Sequence, residues 1–312
     1  MITKNNLPTQ LKTNTTQDLL DIVVKFTNTF HDLYHTIIDE QTILKKLETV
    51  NCICFDNSHM NKIILDKNCN ASWTASDHQI TISAKYQGNS TKELKLLIYH
   101  ELMHVLTERT VTNQENNYQN PVDKTGEIFD EIMTEYYANQ LLEKEKNHIG
   151  GTYMLKNEMQ QDFLVHYDGM AYQEYGQLGA IYNLFFGDQL LRARLFAEEE
   201  QKFIHDFNLL FCHTDFNQNH ATDNIPYINF INETNPLKRF DVALNMLSTL
   251  INHQGFKKHL KEINLTQKEF IKKFGKLLPT DKNNIFDKKL NHALLQNNFN
   301  TQLKLEQTKQ LA

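Results

Sequence analysis

Between residues 16 and 48, Leu19, Leu20, Ile22, Val23, Phe26, Phe30, Leu33, Tyr34, Ile37 and Ile38 recur at three- and four-residue spacing. That spacing predicts one long amphipathic helix or two shorter ones. The period then drops to two. Residues 50–55 and 62–66, rich in Ile, Val, Cys and Phe, predict short strands, and Gln79–Ser83 alternates in the same way within the run 79–85. The segment Gly88-Asn89-Ser90 reads as a loop, and Ser90 with Glu93 forms a capping box for a helix through TKELKLLIYHELMHVL. A polar stretch over about 110–125, with Pro121 in it, predicts another loop. A second helix is expected from about 127 to 146, ending near Gly150-Gly151. From about Leu155 onward nearly everything reads as helix, with apolar-periodic segments near 170–186, 188–212, 236–262 and 265–277, and then a polar tail over 282–312.

The pattern therefore predicts an α+β protein. Residues 1–150 form a lobe with N-terminal helices, a small mixed sheet and a prominent helix, and residues 151–312 form a mostly α-helical lobe. No Pro- or Gly-rich linker separates them, so they are expected to pack as one unit. A length of 312 residues suits about two such units.

Composition narrows the function classes. The hydrophobic fraction is 40% and the charged fraction 22%, too apolar for wholesale disorder. A net charge of −6 argues against phosphate-backbone binding, so no nucleic-acid partner is expected. No run of 18 apolar residues offers a membrane span, and the first residues lack the apolar stretch of a signal peptide. The cytoplasm is the default expectation, with export that leaves no cleaved signal as the alternative. Cys52 and Cys54 fall on one face of an expected strand and no CxxC pair exists, so neither a metal knuckle nor a disulfide framework is expected.

The chain carries 14 histidines, and two of them have a chemical reason for their spacing. His100-Glu101-Leu102-Met103-His104 is an HExxH motif within an expected helix. Positions i and i+4 share one helical face, which lets two imidazoles reach one Zn²⁺. Glu101, one residue on, is placed to act as a general base on a metal-held water. With 14 His and 20 Glu, simple frequency predicts about 0.04 such matches in the chain, so accident is a poor explanation. A catalytic zinc site needs a third protein ligand. Downstream, Glu127, Glu131 and Glu135 are spaced i, i+4, i+8 and place three carboxylates on one helical face. A cation among them would relieve their mutual repulsion. Glu131 ranks first as the ligand, ahead of Glu127 and Glu135.

The HELMH motif, followed by a helix carrying DEIMTEYYA, resembles the gluzincin metallopeptidases, the thermolysin-like branch of the zincins, over about residues 75–145. The phrase E-x-x-T-E-x-x-A also resembles bacterial families of small HExxH proteins, including the kind that cleave phage or mobile-element repressors. The resemblance implies a zincin-like first lobe. It makes His100, His104 and Glu131 the zinc ligands, Glu101 the catalytic base, and Glu135 the acid that hydrogen-bonds the first histidine. Asp130 and Thr134 fall where the family pattern has Asn and Ser. The implied activity is hydrolysis of a peptide bond in a protein substrate by Glu-assisted attack of a zinc-bound water. Candidates for an oxyanion donor are Tyr153, His166, Tyr172 and Tyr175, none of which the sequence singles out. The implied substrate pose is extended, added as a strand to Gln79–Ser83 as an edge strand beside the site. The competing class is a catalytically inactive zincin-fold binding protein, and the presence of Glu101 argues against it.

Overall fold

The structure is a computed structural model, and it describes residues 1–56, 70–88, 92–108, 127–145, 152–156, 162–166, 173–211, 230–231, 233, 236–252, 256–278, 282 and 285–292. Within these residues the chain is a mixed α+β protein, rich in helix, with one small three-stranded sheet.

The N-terminal periodicity resolves into α1 (Thr9–Asn14), α2 (Gln17–Tyr34) and α3 (Glu40–Leu47). The side chain of Asp39 caps α3 by accepting from the Thr42 amide at 2.7 Å. On α2, Leu19, Leu20, Val23, Phe26 and Phe30 are buried, as the three-and-four spacing requires. β1 (Cys52–Asp56), β2 (Ala71–Thr74) and β3 (Gln79–Ser83) follow. The expected strand 62–66 and the cap Ser90 lie outside the described residues.

The sheet order is β1-β3-β2, with β1 parallel and β2 antiparallel to β3. Gln79–Ser83 is thus the central strand and not the edge. Its three middle residues are all buried, because Ile80 and Ile82 face the core while Thr81 is covered on the other side. The edge beside the motif helix is β2, a four-residue strand too short to announce itself by alternation.

The motif helix is α4 (Lys92–Thr107), and the carboxylate helix is α5 (Glu127–Lys144). They pack face to face, with α2 laid across both through Phe26 against Tyr99 (5.2 Å between ring centres) and Tyr34 against Tyr137 (5.9 Å). β4 (Thr152–Lys156) and β5 (Asp162–His166) then form an antiparallel hairpin, where helix was expected from Leu155 onward. Five-residue apolar runs such as DFLVH fit a strand and a buried helical turn equally well, so periodicity misjudges them.

The remaining described residues are mostly helical, as expected. They comprise α6 (Gln173–Phe186), α7 (Asp188–Leu195), α8 (Ala197–Phe211), α9 (Pro236–Asn252), α10 (Phe256–Glu262) and α11 (Gln267–Leu277). The segment 188–212 breaks once, at Phe196, whose extended backbone separates α7 from α8. The two halves join where α6 crosses α5. A Cβ on Gly179 would sit 2.4 Å from Tyr136 Cβ, so only glycine permits that approach. One buried core runs through both halves, from Ile2 to Phe286. No helix among the described residues is long and apolar enough to cross a membrane.

Candidate metal centre

The site lies between α4 and α5. α4 is buried on most of its faces, with Leu94, Ile98, Leu102 and Val105 in the core, and His100 and His104 face α5. On α5, Ile132, Met133, Tyr136 and Tyr137 are buried in the same way, which brings Asp130, Glu131, Thr134 and Glu135 up to the histidines.

The contacts are specific. His100 Nδ1 lies 2.9 Å from Glu135 Oε2, and His104 Nδ1 lies 3.0 Å from Asp130 Oδ2. An ionised carboxylate only accepts, so each Nδ1 carries the hydrogen and, in a neutral ring, each Nε2 carries a lone pair. Those two Nε2 atoms lie 3.2 Å apart. Both also face Glu131, at 3.1 Å from His100 and 3.2 Å from His104. Three acceptors thus converge on one point. Such a cluster could hold a cation at its centre.

The donor spacing admits a metal ion. Bonds of about 2.0–2.1 Å in tetrahedral geometry place neighbouring donors about 3.3 Å apart. The three pairs here lie at 3.1 to 3.2 Å, with the Glu131 carboxylate straddling the two rings. His100, His104 and Glu131 could therefore hold a metal ion.

The carboxylates also set the charge on the histidines. Burial disfavours charge on both imidazoles, yet their carboxylate neighbours outweigh it. Glu131 and Glu135 hold His100 well above the ordinary histidine range, and Asp130 and Glu131 push His104 up to about 9. Burial likewise works against ionised Glu131, but the two histidines keep its carboxyl below the usual range. The cluster gathers positive charge.

Glu135 is 1% exposed, and its second oxygen accepts from Asn139 Nδ2 at 2.9 Å. Glu101 is 6% exposed and lies beside the histidines. Its burial raises its pKa, while His100, His104 and the backbone N–H of Trp73 on β2 pull the other way.

The site therefore brings together all five residues that the motifs single out. The side chain of Glu127, the alternative ligand, lies outside the described residues. So do those of Tyr153 and His166 and all of Tyr172, whereas Tyr175 packs against the hydrophobic core. Sequence reasoning missed Asp130 as the partner of His104. It also missed Asn139, one turn beyond Glu135, and Arg194, which reaches the site from α7 and bonds Asp130. Arg194 left one trace in the sequence: it is one of four arginines, set in an apolar helix where a guanidinium needs a carboxylate.

No protein-family model, curated protein or solved structure matches the chain. The functional reading rests on the geometry of the site and on the motif.

Proposed function

We propose that the chain is a zinc-dependent metallopeptidase of the gluzincin kind, an endopeptidase acting on a protein substrate held in extended form. The observation that carries this reading is the convergence of His100 Nε2, His104 Nε2 and the Glu131 carboxylate beside the buried Glu101. Two imidazoles and one carboxylate are the donor set of catalytic zinc sites, which keep a position for water or substrate. Zinc bound there supplies Lewis acidity, polarising a carbonyl and lowering the pKa of a water toward about 7.

The chain's own residues do the rest. Glu101 accepts a proton from the attacking water and returns it to the leaving amine. Burial and Glu131 raise its proton affinity while the two histidines and the Trp73 N–H lower it, with a net upward shift that suits a group taking a proton. Glu135 and Asp130 hold the two histidines in one tautomer and one orientation.

The edge of β2 is the place for the substrate backbone. Ser83 donates to the Asn70 carbonyl at 2.9 Å, so by alternation Ser72 and Thr74 face β3, while Ala71 and Trp73 turn their backbone groups to the opposite edge. That is the edge on which the Trp73 N–H meets Glu101. An extended peptide added there would lie alongside the general base. In this reading the sheet with α2 to α5 is a zincin-like lobe, and the helices from α6 onward close the side of the site opposite the sheet.

The test is cleavage mapping in a cell lysate with zinc-loaded wild type and the Glu101→Gln variant. The wild type is expected to create new protein termini that disappear on chelation and return with zinc, and Glu101→Gln is expected to create none. Identical termini from both proteins, or none from the zinc-loaded wild type, would contradict the assigned chemistry.

A further inference from the structure

We infer that Arg194, contributed by the helical half of the chain, is a positioning residue for the metal centre, acting through Asp130 on His104. The inference rests on the metal-centre reading above and explains part of what the helical half does. Arg194 is 8% exposed and points from α7 into the seam between α4 and α5. Its Nη2 bonds Asp130 Oδ1, and it lies 3.2 Å from Thr107 Oγ1 and 3.3 Å from Thr134 Oγ1. Thr107 closes the helix that carries both histidines. Asp130 and Thr134 flank the carboxylate ligand on the other helix. One guanidinium nitrogen therefore ties together the two helices that supply the three metal donors. Its two hydrogens serve three oxygens, so the ionised Asp130 takes one and the hydroxyls share the other.

The two histidines are supported unequally, and that is why Arg194 matters. His100 leans on Glu135, whose side chain is 2% exposed and is gripped by Asn139. His104 leans on Asp130, whose side chain is 42% exposed. A carboxylate that open to water would turn into solvent unless its other oxygen were anchored, and Arg194 is the anchor. Anchored in this way, Asp130 accepts the His104 Nδ1–H at 3.0 Å. That hydrogen bond keeps the His104 Nε2 lone pair aimed at the metal position. Among the described residues the buried Arg194 Nε–H has no acceptor, a cost that packing alone gives no reason to retain.

The experiment is a double-mutant cycle on the full chain with Arg194→Gln, Asp130→Asn and the pair together. Zinc affinity is read by competition with a chromophoric chelator, and site geometry by the visible absorption of the cobalt-loaded protein. Far-UV circular dichroism checks that each variant is folded. Arg194→Gln is expected to weaken zinc about 10-fold, the lower end of the effect of outer-shell changes, and to alter the cobalt spectrum. It should have little further effect once Asp130 is Asn. If Arg194→Gln does not fold, Arg194→Lys keeps the charge and volume but cannot reach all three oxygens, and the same outcomes apply to it. Wild-type affinity and spectrum in the folded variant, or an equal loss with and without Asp130→Asn, would overturn the inference alone. A wild type that binds no zinc would overturn the metal-centre reading and this inference with it.

Discussion

Glu145 closes the carboxylate helix and pins the motif helix one turn before His100. Its side chain is 2% exposed and accepts from Lys95 Nζ, Tyr99 Oη and, at 2.9 Å, Thr29 Oγ1. Lys95 and Tyr99 belong to α4 and Thr29 to α2, so one carboxylate joins three elements. Replacing it by Ala leaves two buried hydroxyls without this acceptor and an ammonium without its ion pair. Unpaired buried donors cost about 1–3 kcal/mol each, but Lys95, at 17% side-chain exposure, can turn to water. The net loss should be about 3 kcal/mol, at the lower end for a broken buried ion pair. For a chain of 312 residues that corresponds to about 5 °C in Tm. The assay is thermal unfolding followed by circular dichroism at pH 7. Glu145→Gln keeps the shape and one acceptor oxygen, so it should lose less. The pH dependence has a definite sign. Burial pushes the Glu145 carboxyl up, but Lys95 and Tyr99 outweigh it and hold it below its ordinary value. Its contribution is therefore complete above the unfolded value of about 4.3 and fades as pH falls through the lower folded value. The stability gap between wild type and Glu145→Gln should close on acidification. A Tm for Glu145→Ala within about 1 °C of wild type would refute the reasoning.

Two further outcomes test other parts of the structure. Glu131→Ala should weaken zinc more than about 100-fold, beyond what outer-shell changes produce, in the same competition assay; unchanged affinity would move the third ligand elsewhere on α5. Gly179→Ala should cost about 1–3 kcal/mol, because its Cβ would meet Tyr136 Cβ at 2.4 Å and push α6 off α5. An unchanged Tm there would show that the two helices cross less closely than described.

The parts legible in the sequence are those fixed by local spacing. His100 and His104 are four residues apart on one helix, and Glu131 and Glu135 repeat that interval on the next, so helical geometry alone predicts which side chains share a face. The long helix α2 declares itself by a buried stripe, whereas α4 and α5 are buried on most of their faces and show themselves by length and composition. The illegible parts depend on partners distant in the chain. Asp130 is one more acid on a polar helix until Arg194, 64 residues later, anchors it. Gln79–Ser83 alternates like a strand with one open face, yet strands on both sides and a cover over Thr81 make it central. β2 has only four residues, and the apolar runs of β4 and β5 fit a buried helical turn as well as a strand.

The most direct measurement of the central claim is metal content. Wild-type protein, equilibrated with excess zinc and passed through gel filtration, is analysed for bound metal alongside His104→Ala and Glu101→Gln. The account predicts one zinc per chain in the wild type and in Glu101→Gln, because Glu101 is proposed as a base and not as a ligand, and much less than one in His104→Ala. A wild type without stoichiometric zinc, or a His104→Ala variant that binds as much as the wild type, would contradict it.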